Sequence, residues 1–383
     1  MRQSQLRGAG SIAFTTIVFL LYAGIGLAQP SETPRQQPRN LILFIGDGMG
    51  PSQLTLLRLI DTTQVLDNFP VGGFSLPLTR GALITESAAS GTALSTGVAT
   101  HRGMVGMTPD GAAVENLLER ARALGKSTGI VSTSSVTHAT PASFVAHVAS
   151  RGEQYLIAEQ IAGSGTDIVM GGGQKYFLDE QRGGGRSDVD LCATMEAAGY
   201  EIALVDAEDC ELQLPSNESD RRLLLLAAED GLPPAHSRSL TLARMTALAL
   251  ARLARNPHGF VLMVEGSQID WACHDNDFET LQAELLDFST ALNEGVAFAQ
   301  DDGQTTIVVT ADHETGGLAL LGEEEDASDI EAVWTSTGHT AAMVPVLAMG
   351  PGSASFGGIH RNTDIGRLLH ELLSGGIPSE QQR

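Results

Sequence analysis

Basic residues, cysteine and aromatic side chains are all scarce in this chain, and each scarcity excludes something. Lys and Arg number 23 against 46 Asp and Glu, a formal charge of −23 over 383 residues. A field of that sign repels polyanions, so specific nucleic-acid binding by phosphate neutralisation is excluded. If the protein handles phosphate, bound metal ions must supply the positive charge that Lys and Arg do not. Three cysteines allow one disulfide at most: Cys192 could pair with Cys210, leaving Cys273 over. No C-x-x-C occurs, which argues against a cysteine zinc site. The 43 glycines and 15 prolines follow no G-x-y period, ruling out a collagen-like fibre. With 42% apolar, 5% aromatic and 18% charged residues, the composition is globular rather than disordered or coiled-coil.

An apolar run at residues 12–27 follows Arg2 and Arg7 and ends in Gly26-Leu27-Ala28 before Gln29-Pro30. Basic flank, short apolar stretch and small residues before a break describe a secretory signal peptide cleaved after Ala28. The run also borders on the length of a membrane anchor. Cleavage would leave no stable membrane span and would place the protein in the periplasm or outside the cell, where a disulfide can form. The expected organisation is a signal peptide at 1–28, a Pro/Gln-rich tether at 29–39, a single α/β domain at 40–374 and a polar tail at 375–383.

Short apolar runs alternate with amphipathic helical patterns along the rest of the chain. Residues 41–45, 128–131, 167–170, 201–205, 260–264, 306–310 and 344–349 read as buried strands. Residues 114–124, 154–162, 240–254, 278–298 and 364–373 carry helical periodicity. The alternation predicts an α/β fold with a largely parallel central sheet and helices on both faces.

In such sheets ligands bind beyond the carboxyl ends of the strands. Gly46-Asp47-Gly48 follows the first strand, Glu265 through Asp270 and His274 follow another, and Ala311-Asp312-His313 follows a third. Three strands thus deliver acids and histidines to one edge. Asp270 and His274 are four apart and share a face if their turn is helical. Asp312 and His313 are adjacent and can reach different positions around one or two ions. His339 stands just ahead of the strand at 344–349. Mixed Asp/His donors suit zinc, whereas Asp47, Thr140 and Glu265 make an oxygen-only set suited to magnesium.

Six strings, IGDGMG (45–50), TESAASGTALSTG (85–97), HATPASFVAHVASR (138–151), VEGSQIDWACH (264–274), TADHETGG (310–317) and TGHTAAMVPV (337–346), occur in this order. Together they resemble the alkaline phosphatases, and the likeness runs over essentially all of 40–373. The resemblance implies that Ser87 is a nucleophile forming a phosphoserine and that two zinc ions and one magnesium ion bind. It gives Asp47, Asp312 and His313 to the second zinc, and Asp270, His274 and His339 to the first. Asp47, Thr140 and Glu265 would hold the magnesium, with His138 touching it only through water. Arg151, thirteen residues after His138, would clamp the phosphate oxygens as a bidentate fork. Small phosphomonoesters are the implied substrates, and a homodimer is a further option that the resemblance raises.

Two positions depart from the family's pattern. Glu86 stands where aspartate is usual before the serine, and its extra methylene could shift whatever orients Arg151. Trp271 follows Asp270 at a variable position and offers a substrate no charge. Only 25 residues separate His313 from His339, so a large accessory crown is not expected, and the acidic run Glu323-Glu324-Glu325-Asp326 within them reads as a solvated loop.

The chemistry explains the residue types. A monoester dianion repels nucleophiles and its alkoxide leaves poorly, and a pair of cations roughly 4 Å apart meets both demands. Cation coordination also makes a serine hydroxyl nucleophilic without a histidine base. Ser87, at the start of a small-residue helix, would gain backbone N–H donors and the positive dipole end, or it would be an ordinary N-cap. The alternatives are a related phosphodiesterase or sulfatase and a non-enzymatic metal or phosphate binder of the envelope. A sulfatase needs a C-x-P-x-R-like context that Ser87-Ala88-Ala89 lacks. Arg151, Thr140 and Glu265 favour monoesters over diesters, and a pure binder would not need Ser87.

Overall fold

The computed structural model describes residues 37–210, 214–324 and 329–375. The expected signal peptide, nearly all of the tether, the tail from 376 onward, and Glu325 and Asp326 of the acidic run lie outside the described residues. Strands appear in the order β1 (Asn40–Gly46), β2 (Val71–Leu76), β3 (Ser127–Ser135), β4 (Ile168–Gly172), β5 (Glu201–Leu204), β6 (Leu223–Leu226) and β7 (Phe260–Gly266). Then come β8 (Thr305–Thr310), β9 (Glu314–Thr315), β10 (Ala319–Leu321), β11 (Glu331–Val333), β12 (His339–Thr340), β13 (Val344–Met349) and β14 (Gly358–Arg361). Ten of them form one sheet in the order β14-β2-β13-β8-β1-β7-β3-β4-β6-β5. Every neighbouring pair is parallel except those made by β13, which runs antiparallel to both β8 and β2.

The β1 sequence NLILFIG shows why the sheet forms at this depth. All seven residues are buried, as a strand covered on both faces requires. Side-chain alternation sends Ile42 and Phe44 into one core and Leu41, Leu43 and Ile45 into the other. The first core is closed by the helices Leu242–Leu253 and Phe278–Asp302, the second by Leu117–Ala123, Gln154–Ser164 and Asn362–Ser374. Each fully buried aliphatic side chain contributes about 1.5–3 kcal/mol.

All seven expected strands and all five expected helices are present. The helix expected from 114 starts at Leu117, because Asn116 caps it in a reciprocal box with Glu119. The helix expected to end at 298 continues to Asp302, where Gly303 takes a left-handed conformation (φ 65°). Within the ten-stranded sheet β2, β6 and β14 were not expected, nor were the short strands β9 to β12 outside it. The disulfide suggestion is corrected: Cys192 and Cys210 are free and belong to the two separate cores, on opposite faces of the sheet. Between His313 and His339 the described residues form only the short pairs β9–β12 and β10–β11, so no large crown stands there. No helix of the described residues is long and apolar enough to cross a membrane.

Candidate active site

The strands that carry the acidic motifs are neighbours at the centre of the sheet, in the order β8-β1-β7-β3. Ile45 of β1 lies level with Thr310 of β8 and Glu265 of β7, so the three strands deliver their next residues to one place. Asp47 follows β1, Asp312 and His313 follow β8, and Glu265 is part of β7. The helix Gln268–Asp275 puts Asp270 and His274 one turn apart, with His274 Nε2 3.3 Å from Asp270 Oδ2. His138 and Thr140 follow β3, at the short helix Ala139–Ala142. His339 arrives by a separate route, on β12, which pairs with β9 so that His339 lies opposite Thr315.

These groups converge. His339 Nε2 is 3.2 Å from His274 Nε2 and 3.6 Å from Asp270 Oδ1. His313 Nε2 lies 3.5 Å from Asp47 Oδ1 and 3.1 Å from Asp312 Oδ2. Potential ligand atoms within 4.8 Å of one another fall into three overlapping groups. Asp270, His274 and His339 make one. Asp47 and His313 make a second with Asp270, Asp312 standing beside it. Asp47 and Glu265 make the third with His138, a spacing compatible with contact through water.

The histidines are aimed by their other nitrogens. His274 Nδ1 donates to the Thr337 carbonyl at 2.6 Å and His339 Nδ1 to the Thr85 carbonyl at 3.1 Å. With Nδ1 carrying the proton, each Nε2 turns a lone pair toward the cluster. Thr315 holds two members at once, donating to Asp270 Oδ1 and lying 3.2 Å from His313 Nδ1. Ser132 donates to Glu265 Oε2 at 2.7 Å. Neither Thr315 nor Ser132 was singled out from the sequence, although Thr315 lies within the TADHETGG string.

Donor chemistry and burial test whether cations fit here. Both oxygens of Asp47, Oδ2 of Asp312, Oε1 of Glu265, Oγ1 of Thr140 and Nδ1 of His138 are buried without a hydrogen-bond partner. Burial, with the Asp312, Asp270 and Glu265 carboxylates close by, pushes the Asp47 carboxyl well above its ordinary range. Burial likewise raises Glu265 to about 7, against the hydroxyls that hydrogen-bond it. His138 falls to about 4 through burial and the charge of Arg151, leaving it neutral; its Nε2 accepts from Arg151, so its unpartnered Nδ1 carries the proton. Buried charges of one sign with unclaimed lone pairs are costly unless a cation is among them. The residues fit divalent ions.

Ser87 opens the buried helix Ser87–Thr96, its Oγ 3.4 Å from His313 Nε2. It is not the N-cap. Glu86 is, accepting from Ala88 N at 3.0 Å and Ala89 N at 2.8 Å, which leaves the Ser87 hydroxyl unused as a cap. Those two amides are therefore not open to a phosphate, contrary to the expectation from helix-terminus chemistry. Glu86 also accepts from Gly103 N at 2.9 Å and pairs with Arg151 Nη1 at 2.6 Å. Burial raises its carboxyl, but the Gly103 amide and the Arg151 charge outweigh this and hold it below the ordinary value. The extra methylene has not cost Arg151 its partner. Arg151 Nη2 also lies 3.0 Å from His138 Nε2.

Ser87, Arg151, Asp270, Trp271 and His339 line one open cavity of about 820 Å³. Trp271 meets His138 edge-on, ring centres 6.0 Å apart. A further cation on the wall, Arg102, was not singled out from the sequence, since an isolated arginine in a loop carries no motif.

A buried carboxylate–imidazole cluster beside an unencumbered serine and a paired arginine is the construction of a metal-dependent phosphoryl-transfer enzyme. The family model for alkaline phosphatase matches residues 38–328. The chain is 32% identical to alkaline phosphatase 4 of Bacillus subtilis, over 93% of this chain and 94% of that protein. It is 30% identical to the alkaline phosphatase of Escherichia coli, over 85% and 84% of the two chains. Among solved structures, alkaline phosphatase from the Antarctic bacterium TAB5 superposes with a TM-score of 0.82 at 34% identity, covering 89% of this chain and all of that one. A variant of the TAB5 enzyme with magnesium bound in its M3 site superposes at 0.79 over 88% and 99% of the chains, also at 34% identity. The chain belongs to the alkaline phosphatase family, the metal-dependent phosphomonoester hydrolases.

Proposed function

We propose that this enzyme cleaves phosphate monoesters to an alcohol and inorganic phosphate through a covalent phosphoserine on Ser87. The cation ligands would be Asp270, His274 and His339 for one zinc, and Asp47, Asp312 and His313 for the other. Asp47, Thr140 and Glu265 would hold a magnesium ion, with His138 beside them. When bound, these cations neutralise phosphoryl charge and make serine and water oxygens nucleophilic near neutral pH. Everything else is the work of the chain's own groups.

Ser87 Oγ forms a bond to phosphorus as the ester oxygen leaves, and water then displaces Ser87 from phosphorus to release inorganic phosphate. Arg151 orients the phosphoryl group: after its bonds to Glu86 and His138, three guanidinium N–H groups remain for phosphate oxygens. Glu86 fixes both ends of this arrangement, as cap of the Ser87 helix and partner of Arg151. The N-terminal segment, Arg2 and Arg7 before the apolar run, supports export to the periplasm or the exterior.

The observation that carries this reading is the 3.4 Å approach of Ser87 Oγ to His313 Nε2, which sets the hydroxyl against the edge of the ligand cluster. Turnover of p-nitrophenyl phosphate against bis-p-nitrophenyl phosphate tests it. The monoester is expected to react faster, and faster diester turnover would make the enzyme a phosphodiesterase.

A further inference from the structure

The cavity holds two guanidinium groups, Arg102 and Arg151, and only Arg151 has been given work. Arg102 sits in a turn whose geometry is set locally. Met104 N donates to the His101 carbonyl at 3.2 Å, and Gly103 takes φ +84°. A positive φ at the third residue is the mark of a type II turn, and it makes Arg102 the second residue, at the tip. The turn is also tied to the phosphate clamp. Gly103 N donates to Glu86 Oε1 at 2.9 Å, and Arg151 N donates to the Gly103 carbonyl at 2.7 Å. Arg102 is thus held at a fixed place relative to Arg151, one residue from a backbone bond to each partner of the Glu86–Arg151 pair.

Its side chain is uncommitted. Arg102 is exposed and, among the described residues, makes no ion pair and no side-chain hydrogen bond. In a chain with two acids for every base, a guanidinium on a cavity wall without an acid beside it is conspicuous. The cavity is also lined by Trp271, seated against Gly231 so closely that a Cβ there would come within 2.5 Å of the indole. The cavity therefore offers, beyond the clamp, one free cation and one fixed aromatic wall. An open volume of about 820 Å³ leaves room for a large leaving group.

We propose that Arg102 is a specificity-determining residue that binds a second phosphoryl group on the leaving-group side, so that the enzyme favours nucleoside diphosphates over esters with uncharged leaving groups. This rests on the hydrolase reading above and adds a substrate class to it. The reaction is hydrolysis of the terminal anhydride: water and the nucleoside diphosphate give the nucleoside monophosphate and inorganic phosphate, with the P–O bond to the bridging oxygen broken. The terminal phosphoryl group occupies the Arg151 side. The guanidinium of Arg102 receives the remaining phosphate as a charge-assisted fork, and the nucleobase lies against Trp271.

The test compares kcat/KM for ADP and for phenyl phosphate in the wild type and in Arg102→Ala, Arg102→Lys and Arg102→Glu, all loaded with metals. The ADP-to-phenyl phosphate ratio is expected to fall about tenfold in Arg102→Ala, as loss of one exposed charge-assisted contact implies. It should fall further in Arg102→Glu and recover in part in Arg102→Lys. Binding of the methylene-bridged analogue of ADP, followed by calorimetry, should weaken in the same order. An equal loss for both substrates would place Arg102 on the transferred phosphoryl group and overturn the assignment, as would an unchanged ratio. A wild type inactive on phenyl phosphate would overturn the hydrolase reading itself, and this inference with it.

Discussion

Glu86 and Arg151 are joined by a 2.6 Å ion pair, and the same carboxylate caps the helix that begins with Ser87. One side chain therefore fixes the nucleophile's helix and the phosphate clamp together. Glu86→Ala should cost roughly 0.5–2 kcal/mol as a lost N-cap and should also weaken inhibition by inorganic phosphate. Glu86→Gln keeps an acceptor for the helix amides but loses the charge, so stability should change less than phosphate inhibition. Denaturant melts alongside inhibition constants separate the two effects. A Gln variant with wild-type phosphate inhibition would contradict the link.

Arg151→Ala should raise the inhibition constant for phosphate by about ten- to a hundredfold, the range expected of a charged hydrogen-bonding group. Metal content should stay at the wild-type value, since Arg151 belongs to none of the ligand groups. Equal phosphate inhibition in variant and wild type would remove Arg151 from the phosphate site.

Chelation should destabilise the protein. Both Asp47 oxygens, Asp312 Oδ2 and Glu265 Oε1 are buried without hydrogen-bond partners, and the carboxylates repel one another. Cations present at a thousand times their Kd contribute about 4 kcal/mol by mass action. The melting temperature should drop on treatment with EDTA and return when zinc and magnesium are restored. A chelated enzyme that melts at the untreated temperature would show that the cluster does not depend on cations.

A pH effect separate from catalysis is expected at His147. Its Nε2 lies 3.0 Å from Glu119 Oε1 and its Nδ1 lies 2.7 Å from the Gly106 carbonyl, so both nitrogens face acceptors. The hydrogen bond to Glu119 holds the imidazolium above its ordinary pKa, against burial. For a raised histidine the stabilisation is complete below the unfolded value, near 6.5, and disappears as pH rises through the folded value. The pair is partly exposed, so its size is at most about 1 kcal/mol. His147→Gln should be less stable than wild type at pH 6 and converge with it at alkaline pH. A gap that widened with pH would reverse the assignment.

The sequence exposed the central sheet and the ligand cluster because both depend on local signals. Fully buried strands such as 41–45 and 260–264 are continuous apolar runs, and Asp47, Asp270 and Asp312 directly follow strands or open helices. The strands it missed lack those signals. Residues 71–76, VGGFSL, hold two glycines and are largely half-exposed, while 223–226, four leucines, carry no period that separates strand from helix. The partners of the ligands were hidden for a different reason. Thr315 reaches Asp270 across 45 residues and Ser132 reaches Glu265 across 133, separations that only the fold closes. Cys192 and Cys210 misled in the opposite direction: they are close in sequence, but the sheet lies between them.

The central claim is that the converging ligands make Ser87 the group that takes the phosphoryl. Acid-quenched enzyme, mixed with a phosphomonoester and digested, should yield a peptide phosphorylated at Ser87. Ser87→Ala should lose both that label and nearly all turnover while keeping its metal content. An unlabelled Ser87 peptide from active enzyme, or a Ser87→Ala variant turning over at the wild-type rate, would contradict the account.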